Sequence, residues 1–360
     1  MNIQYRGAVY DVSGYAHLRT LFVYLSNKGF NVKIKPFRGQ DNVSYIYQDE
    51  CKKLETTKLK SPYVNIVSGI APQLTIDSEA AYNIGYSMFE TTEIPDKWID
   101  FYNQFGEIWV PSTFCLKAFN RKDLRCTVNV VPFGIDTELF QPTPREKDHF
   151  TFLAVGQWID RKGWDLLIRA YTAEFMGNYD VRLCIKTYED TKTNTELIRE
   201  YLEGGKPSSY MPRICIKNQK IDEGLMPCLY HEADCYIMPS RGEGFNLPAL
   251  EAMACGVPVV TTDFGGHLDF LKEQYSWLIP VNTLKRLSER LCTINQGYKN
   301  LWFAEPDIKD IRKIMRYVYE HQTEAKEKGV MARKFVEENM TWDKISCIAE
   351  NRLNEIFRAI

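Results

Sequence analysis

The chain has 360 residues, 44% of them hydrophobic, which is enough for two ordinary domains with cores of their own. Its 45 Lys and Arg nearly balance 47 Asp and Glu, and a formal charge of -2 gives no electrostatic footprint for bulk nucleic-acid or membrane-surface binding. The N-terminus, Met1 to Arg6, lacks a signal-peptide core and no apolar run approaches roughly 18 residues, so a soluble cytoplasmic protein is expected.

In chain order, Gln4 to Tyr10 reads as a strand and Asp11-Val12-Ser13-Gly14 as a turn. Leu18, Leu21, Phe22 and Leu25 recur at helical spacing, with Gly29 as a C-terminal cap. Val32 and Ile34 continue a second strand; Tyr63 to Val67, Ile84 to Phe89, Ile108 to Val110 and Asn129 to Val131 are further short ones. Gln141 to Asp148 is polar, holds two prolines and has no periodicity, as a linker would. The alternation then resumes with a strand at Thr151 to Val155 and a helix carrying Leu166, Leu167, Ala170, Tyr171 and Phe175 on one face. Strands follow at Val181 to Ile185, Asp234 to Met238 and Val257 to Thr261. From Asp307 to Ile360 the pattern is helical, and the helix beginning at Trp342 is placed to pack back across the first domain.

Alternating strands and helices in both halves predict α/β architecture with two doubly wound, Rossmann-like domains. The boundaries are set at 1–142 and 149–340, with 341–360 as the returning helix. Ten cysteines, several inside apolar runs (Cys184, Cys235) and none spaced Cys-x-x-Cys, read as free buried thiols in a reducing compartment.

Pro239 to Val260 carries most of the chemistry. An apolar strand runs into a loop with Gly242 and Gly244, where glycine allows unusual backbone angles and close approach of a ligand. Asn246 is placed as an N-cap, Pro248 is tolerated in the first helical turn, and Gly256 ends the helix. The N–H groups around Phe245, Asn246 and Leu247 would form an anion site at the carboxyl ends of the strands. Glu251, one turn into the helix, is near enough to accept hydrogen bonds from a ribose. Glu243, on the loop, would sit on the other side and take sugar hydroxyls, since carboxylates should flank bound phosphate and not line its site. The plainer reading is a strand, loop and helix with surface glutamates.

Val155 to Gly163 is a second strand-to-helix turn, where Arg161 and Lys162 could neutralise a diphosphate or be a solvated basic turn. Gly14 could admit a phosphate or an acceptor to the N–H groups of the first helix. Glu90, in Met88 to Pro95, could orient an acceptor, act as a base, or be a carboxylate at a helix start. His17 could face a cleft or serve packing, and His267 follows Gly265-Gly266 near the same face as Glu243. Lys117, Arg121, Lys122 and Arg125 read as a solvated basic face. No Asp-x-Asp pair and no Gly-x-x-x-x-Gly-Lys-Ser/Thr loop occurs, which disfavours a metal-dependent nucleotide-sugar plan and a P-loop NTPase.

The segment from Tyr230 to Gly266, with Glu243 and Glu251 separated by seven residues, resembles the signature of retaining GT-B glycosyltransferases. The resemblance covers nearly the whole chain, most clearly residues 150–270 and least 35–83. It implies a GT-B fold and metal-independent transfer, with retention, from a nucleotide sugar to an unidentified acceptor, and no separate cofactor. By it Glu243 contacts the donor sugar, Glu251 the ribose, backbone at Gly244, Phe245, Asn246 and Leu247 approaches the donor, and Lys162 matches the family's clamp lysine. Gln157 stands where the family has an arginine, leaving Arg161 to compensate, and Glu90 stands where many members present a histidine. Gly14 matches a cleft-facing glycine loop, without the family's second glycine. Three other readings stay open: a sugar-nucleotide epimerase, a transferase acting on a hydroxylated nucleic-acid base, and a non-catalytic sugar-nucleotide-binding module.

Overall fold

A computed structural model describes residues 1–12, 14–37, 43–144, 148–188, 193, 194, 196, 198, 213–286 and 298–360. Two compact units divide the chain. The first comprises Met1–Asp136, Asp222–Gly224 and Asn339–Ile360; the second comprises Thr137–Ile221 and Leu225–Glu338. Of the expected linker, residues 145–147 lie outside the described residues, and 141–144 are exposed without regular structure.

In the first unit, strands β1 (Asn2–Gly7), β2 (Asn31–Pro36), β3 (Tyr63–Ser68), β4 (Tyr82–Tyr86), β5 (Glu107–Val110) and β6 (Thr127–Val130) form one sheet in the order β2-β1-β3-β4-β5-β6. Every pairing is parallel. The strands read as β-branched and aromatic runs because both faces are covered. The first strand ends at Gly7, short of the expected Tyr10, and the fourth is Tyr82–Tyr86, earlier than expected. Helix α1 (Leu18–Asn27) follows a short 3-10 turn at Gly14–His17 and buries Leu18, Leu21, Phe22 and Leu25, with Phe22 stacked on Tyr5 at 4.0 Å. Arg19 on this helix is almost fully buried. It donates to the carbonyls of Val9 (3.0 Å) and Ala16 (2.9 Å) and pairs with Glu223. Helices α2 (Gln48–Glu55), α3 (Ile99–Tyr102) and α4 (Thr113–Ala118) complete the layers before the chain leaves this unit.

The second unit repeats the plan. Strands β7 (Phe150–Val155), β8 (Val181–Thr187), β9 (Arg213–Asn218), β10 (Cys235–Met238), β11 (Val259–Thr262) and β12 (Ser276–Ile279) form a sheet in the order β12-β11-β10-β7-β8-β9, again all parallel. Helices α5 (Trp164–Phe175), α6 (Met226–His231) and α7 (Leu247–Ala254) belong to it, with a β13–β14 ribbon (Leu284–Arg286, Trp302–Ala304) beside them. Helices α8 (Ile308–Glu320) and α9 (Gln322–Asn339) close the unit; Glu174 of α5 accepts from Arg312 and Arg316 of α8. The tail is therefore helical but broken at His321 and again at Met340-Thr341.

The last helix, α10 (Trp342–Ala359), returns to the first unit as expected. Ile135 N–H donates to Met340 O at 2.9 Å, and Trp342 lies against Gly134 so closely that a methyl group there would meet the indole. Arg352 of α10 donates to the fully buried Glu107 at 2.6 and 2.9 Å, and Trp109 and Asn129 also donate to that carboxylate. Removing one partner of a buried carboxylate leaves charge uncompensated. Arg352→Ala is expected to destabilise the protein by about 2 kcal/mol, read as a lower urea midpoint.

Candidate functional site

In an open parallel sheet, ligands collect where the strand order reverses, outside the carboxyl ends of the strands. In the second unit that point lies between β7 and β10. The chain leaves β7 into Gly156–Gly163 and leaves β10 into Pro239–Asn246, so these two loops converge there. Two features bring them close. Gly163 takes a left-handed backbone (φ 72°), and a Cβ there would stand 2.2 Å from Pro239 O. Gly156 lets the aliphatic stem of Lys162 lie 3.2–3.5 Å from where its own Cβ would be.

Glu243 occupies the centre. It is 4% exposed, and Lys162 Nζ lies 2.7 Å from Oε1 and Arg161 Nη1 3.2 Å from Oε2. Arg161 also donates to Gly242 O, and Gly266 N–H donates to Glu243 O at 2.8 Å. The carboxylate therefore lies directly against the two cations of the neighbouring loop. Two buried cations without a counter-ion would be costly, and Glu243 supplies that counter-charge. Burial raises the Glu243 pKa, but the charges of Lys162 and Arg161 outweigh it and hold the carboxyl at about 2, below its ordinary 4.5. A depressed carboxyl pKa gives stability that is complete above about 4.5 and is lost as pH falls towards about 2. Glu243→Gln, an isostere of the protonated form, should lower stability at neutral pH by on the order of a few kcal/mol. The gap to the wild type should narrow in urea titrations as pH falls below about 4.5.

Arg241 braces this loop. Buried itself, it makes a two-pronged pair with Asp165 (2.8 and 2.8 Å) and reaches Glu305 (2.6 Å) and Asp160 O (2.7 Å). Its own N–H donates to Arg161 O at 2.7 Å. The guanidinium thus fastens the Asp160–Lys162 turn to the Glu243 loop. Its role was not singled out from sequence, because Asp165 and Glu305 are remote along the chain.

Helix α7 begins at Leu247 behind Asn246, as the sequence suggested, but Asn246 does not cap it with its side chain. Its backbone is left-handed (φ 75°), which Asn tolerates better than most residues, and this turns Oδ1 towards Tyr236 OH at 3.4 Å. The left-handed position in this loop thus falls on Asn246 and not on Gly242 or Gly244. Phe245 and Leu247 are buried beside it, Phe245 packing on Phe270 in a tilted pair with ring centroids 5.1 Å apart. Gly256 ends the helix with φ 70°. Glu251 is 4% exposed and accepts from Tyr230 OH. Burial, with Glu251 adding to it, raises the Tyr230 pKa, so this hydroxyl stays a donor. Lys186, near the carboxyl end of β8, is also within electrostatic reach of Glu251. Burial pushes its ammonium down to about 8, against the pull of that carboxylate. Its signal in the sequence was a lysine near the end of an otherwise apolar strand.

Buried polar atoms without a hydrogen-bond partner are rare and call for a cause. Apart from His149 Nδ1, just before β7, such atoms in this unit include Thr187 Oγ1, Ser240 Oγ, Asn246 Nδ2, Thr262 Oγ1 and His267 Nδ1. Each belongs to the carboxyl end of β8, β10 or β11 or to the segment that follows it. His267 is fully buried and its Nε2 lies 2.6 Å from Thr262 O, which assigns the proton to Nε2 and leaves Nδ1 an acceptor. Burial lowers its pKa, consistent with a neutral ring. A polar ligand at the switch point would satisfy this set.

The other expected residues are dispersed. Gln157 is exposed at the end of β7, and its carbonyl accepts from Trp164 Nε1 at 2.9 Å. Gly14 opens the 3-10 turn of the first unit, and Glu90 is half-buried in a bend after β4. No helix starts at Glu90, which removes the helix-start explanation: the next helical turn is Asp96–Trp98. Tyr15 lies between these two positions, its hydroxyl accepting from Met88 N–H at 2.9 Å. His17 Nδ1 faces Glu223 at 3.3 Å within the first unit. Of the basic cluster, Arg121 is held by Asp96 at 2.6 Å and Asp123 at 3.4 Å. Cys51, Cys115, Cys184, Cys235 and Cys255 are buried free thiols as expected, but Cys215, Cys228 and Cys347 are exposed. No described helix is long and apolar enough to cross a membrane.

Residues 149–296 match the model of the family described as glycosyl transferases group 1. Mannosylfructose-phosphate synthase of Agrobacterium fabrum is 29% identical over 151 residues, covering 39% of this chain and 33% of that protein. A putative glycosyltransferase of Sulfolobus islandicus filamentous virus is 25% identical over 258 residues, 68% of this chain and 61% of that one. Apart from the viral protein, the chain spans about a third of the length of the first curated relatives it matches. Sucrose-phosphate synthase of Thermosynechococcus elongatus shares the fold over 100% of both chains, at TM-score 0.71 and 17% identity. Anabaena HepE, solved in complex with UDP-glucose, does so over 99% of this chain and 100% of its own, at TM-score 0.68 and 12% identity. The two parallel sheets and the returning helix are the GT-B architecture.

Proposed function

We propose that this chain, a member of the GT-B-fold glycosyltransferase superfamily, moves a sugar from a nucleotide-sugar donor to an acceptor with retention at the anomeric carbon. The observation that carries the reading is the grouping, at the switch point of the second sheet, of Lys162, Arg161, Glu243 and Glu251 among buried polar atoms that lack partners. An ammonium carries three donors, so Lys162 can serve Glu243 and a phosphate oxygen together. As the bond to the anomeric carbon breaks, negative charge gathers on the leaving diphosphate. Lys162, Arg161 and the N–H groups at the start of α7 meet that charge without a metal ion. Arg161, buried against Glu243, replaces the cation missing at Gln157.

Glu251, oriented by Tyr230, accepts from the ribose hydroxyls, and Lys186 lies on the same side to contact the nucleotide. Glu243 and the acceptor nitrogen of His267 take hydroxyls of the donor sugar, and Asn246 Nδ2 donates to it. Among the described residues of this site we assign no side chain as a covalent nucleophile. The reaction is therefore assigned a front-face course in which the leaving phosphate accepts the proton of the attacking hydroxyl. Gly14 and Glu90, in the first unit, are assigned to the acceptor side, with 1–142 as acceptor domain and 149–340 as donor domain.

The test is incubation with a panel of nucleotide sugars. Release of nucleoside diphosphate from one donor class, with the sugar product retaining its anomeric configuration by NMR, is expected. Inversion of configuration contradicts the front-face course. Tight nucleotide binding without turnover or slow hydrolysis of any donor contradicts catalysis.

A further inference from the structure

Strands β8 and β9 are parallel neighbours, and their register sets Cys184 directly opposite Cys215. Neighbouring strands lie about 4.8 Å apart, inside the Cα separation of about 4.4–6.8 Å that a disulfide spans. Opposed residues of paired strands point to the same face, so the two thiols lie side by side on one face of the sheet and each perturbs the other's ionisation. The chemistry around them is asymmetric. Strand β9 is the edge of its sheet and Cys215 is exposed there, whereas Cys184 is buried. Arg182 and Lys217, each two residues along its own strand from one of the cysteines, share that face.

We propose that Cys184 and Cys215 form a peroxide-oxidisable dithiol, with Cys215 as the attacking thiolate and Cys184 as the resolving thiol. The neighbouring Cys184 thiol, opposed by burial and aided by Lys217 and Arg182, lowers the pKa of the Cys215 thiol, while that of Cys184 is raised. This favours the thiolate at Cys215, the reactive form, on the exposed member of the pair. In the first step its sulfur attacks one oxygen of hydrogen peroxide. The O–O bond breaks, a sulfenic acid forms and the departing hydroxide takes a proton to become water. In the second step Cys184 sulfur attacks the sulfenyl sulfur; its S–H proton and the sulfenyl hydroxyl leave together as the second water. Two thiols are oxidised to one disulfide, and one peroxide is reduced to two waters. The site is independent of the transferase reading, although Lys186 follows Cys184 by two residues on the same strand face.

The experiment treats the reduced full-length chain with limiting hydrogen peroxide, alkylates the remaining thiols and maps the peptides by mass spectrometry. The expected result is a Cys184–Cys215 linked peptide as the leading product, reversed by dithiothreitol, with the exposed Cys228 and Cys347 still alkylated. In Cys184→Ser the sulfenic acid should persist and be trapped by dimedone at Cys215. Oxidation of Cys228 or Cys347 ahead of Cys215 overturns the proposal. So does conversion of Cys215 to sulfinic acid in the wild type without any link to Cys184. The wild-type map decides the matter even if the variant does not fold.

Discussion

Lys162→Ala is expected to lower kcat/KM for the donor about 100- to 1,000-fold, the scale seen when one donor to developing negative charge is removed. The lysine's stem lies over Gly156 and its ammonium sits 2.7 Å from Glu243, so its position is fixed before any ligand arrives. Charge that is already in place costs no reorganisation as the leaving diphosphate forms. Truncation also leaves buried Glu243 with Arg161 as its one remaining cation within 4 Å among the described residues, which disturbs the residue assigned to the sugar. Glu251→Ala should cripple donor use as well, by a different route: it removes the carboxylate proposed to accept from the ribose and takes from Tyr230 OH its acceptor. Steady-state kinetics on folded variants, checked by circular dichroism, reads both. Unchanged donor kinetics in the pair would sink the site assignment.

Arg241→Ala should be the most destabilising single change, by about 3–5 kcal/mol, the cost of breaking a buried ion-pair network by removing one partner. The guanidinium is 7% exposed and serves Asp165, Glu305 and Asp160 O together. Truncation leaves two carboxylates without their shared counter-charge and unfastens the turn that carries Arg161 and Lys162. The urea midpoint should fall with little change in m-value, and donor turnover should drop even under conditions where the variant stays folded. An unfolding free energy within about 0.5 kcal/mol of the wild type would place Arg241 among ordinary surface residues.

Local pattern made the architecture legible. Short apolar runs such as Cys235–Met238 and Val259–Thr262, bounded by turn residues, read as buried parallel strands, and Pro248 and Gly256 bracket a helix by their backbone requirements. From Trp342 onwards the helix itself was readable from its periodicity, while its contacts with the first unit are long-range. What could not be read is whatever depends on residues distant in sequence. The seat of Glu243 on Lys162 and Arg161 joins positions about 80 residues apart, and it exists only because β7 and β10 are adjacent at the switch point. Nothing local marks Asp222–Gly224 as part of the first unit, where Glu223 pairs with Arg19, nor Arg241 as the brace of the site. Asn246 was legible as the start of a helix but not as its left-handed residue, because Asn serves both roles and the backbone chooses.

The measurement that bears most directly on the account is binding by thermal shift against nucleoside diphosphates and nucleotide sugars, with Lys162→Ala and Glu251→Ala alongside the wild type. The account predicts that at least one nucleotide sugar raises the wild-type Tm in a concentration-dependent way and that both variants lose most of the shift. A wild-type Tm that no nucleotide or nucleotide sugar moves would contradict it.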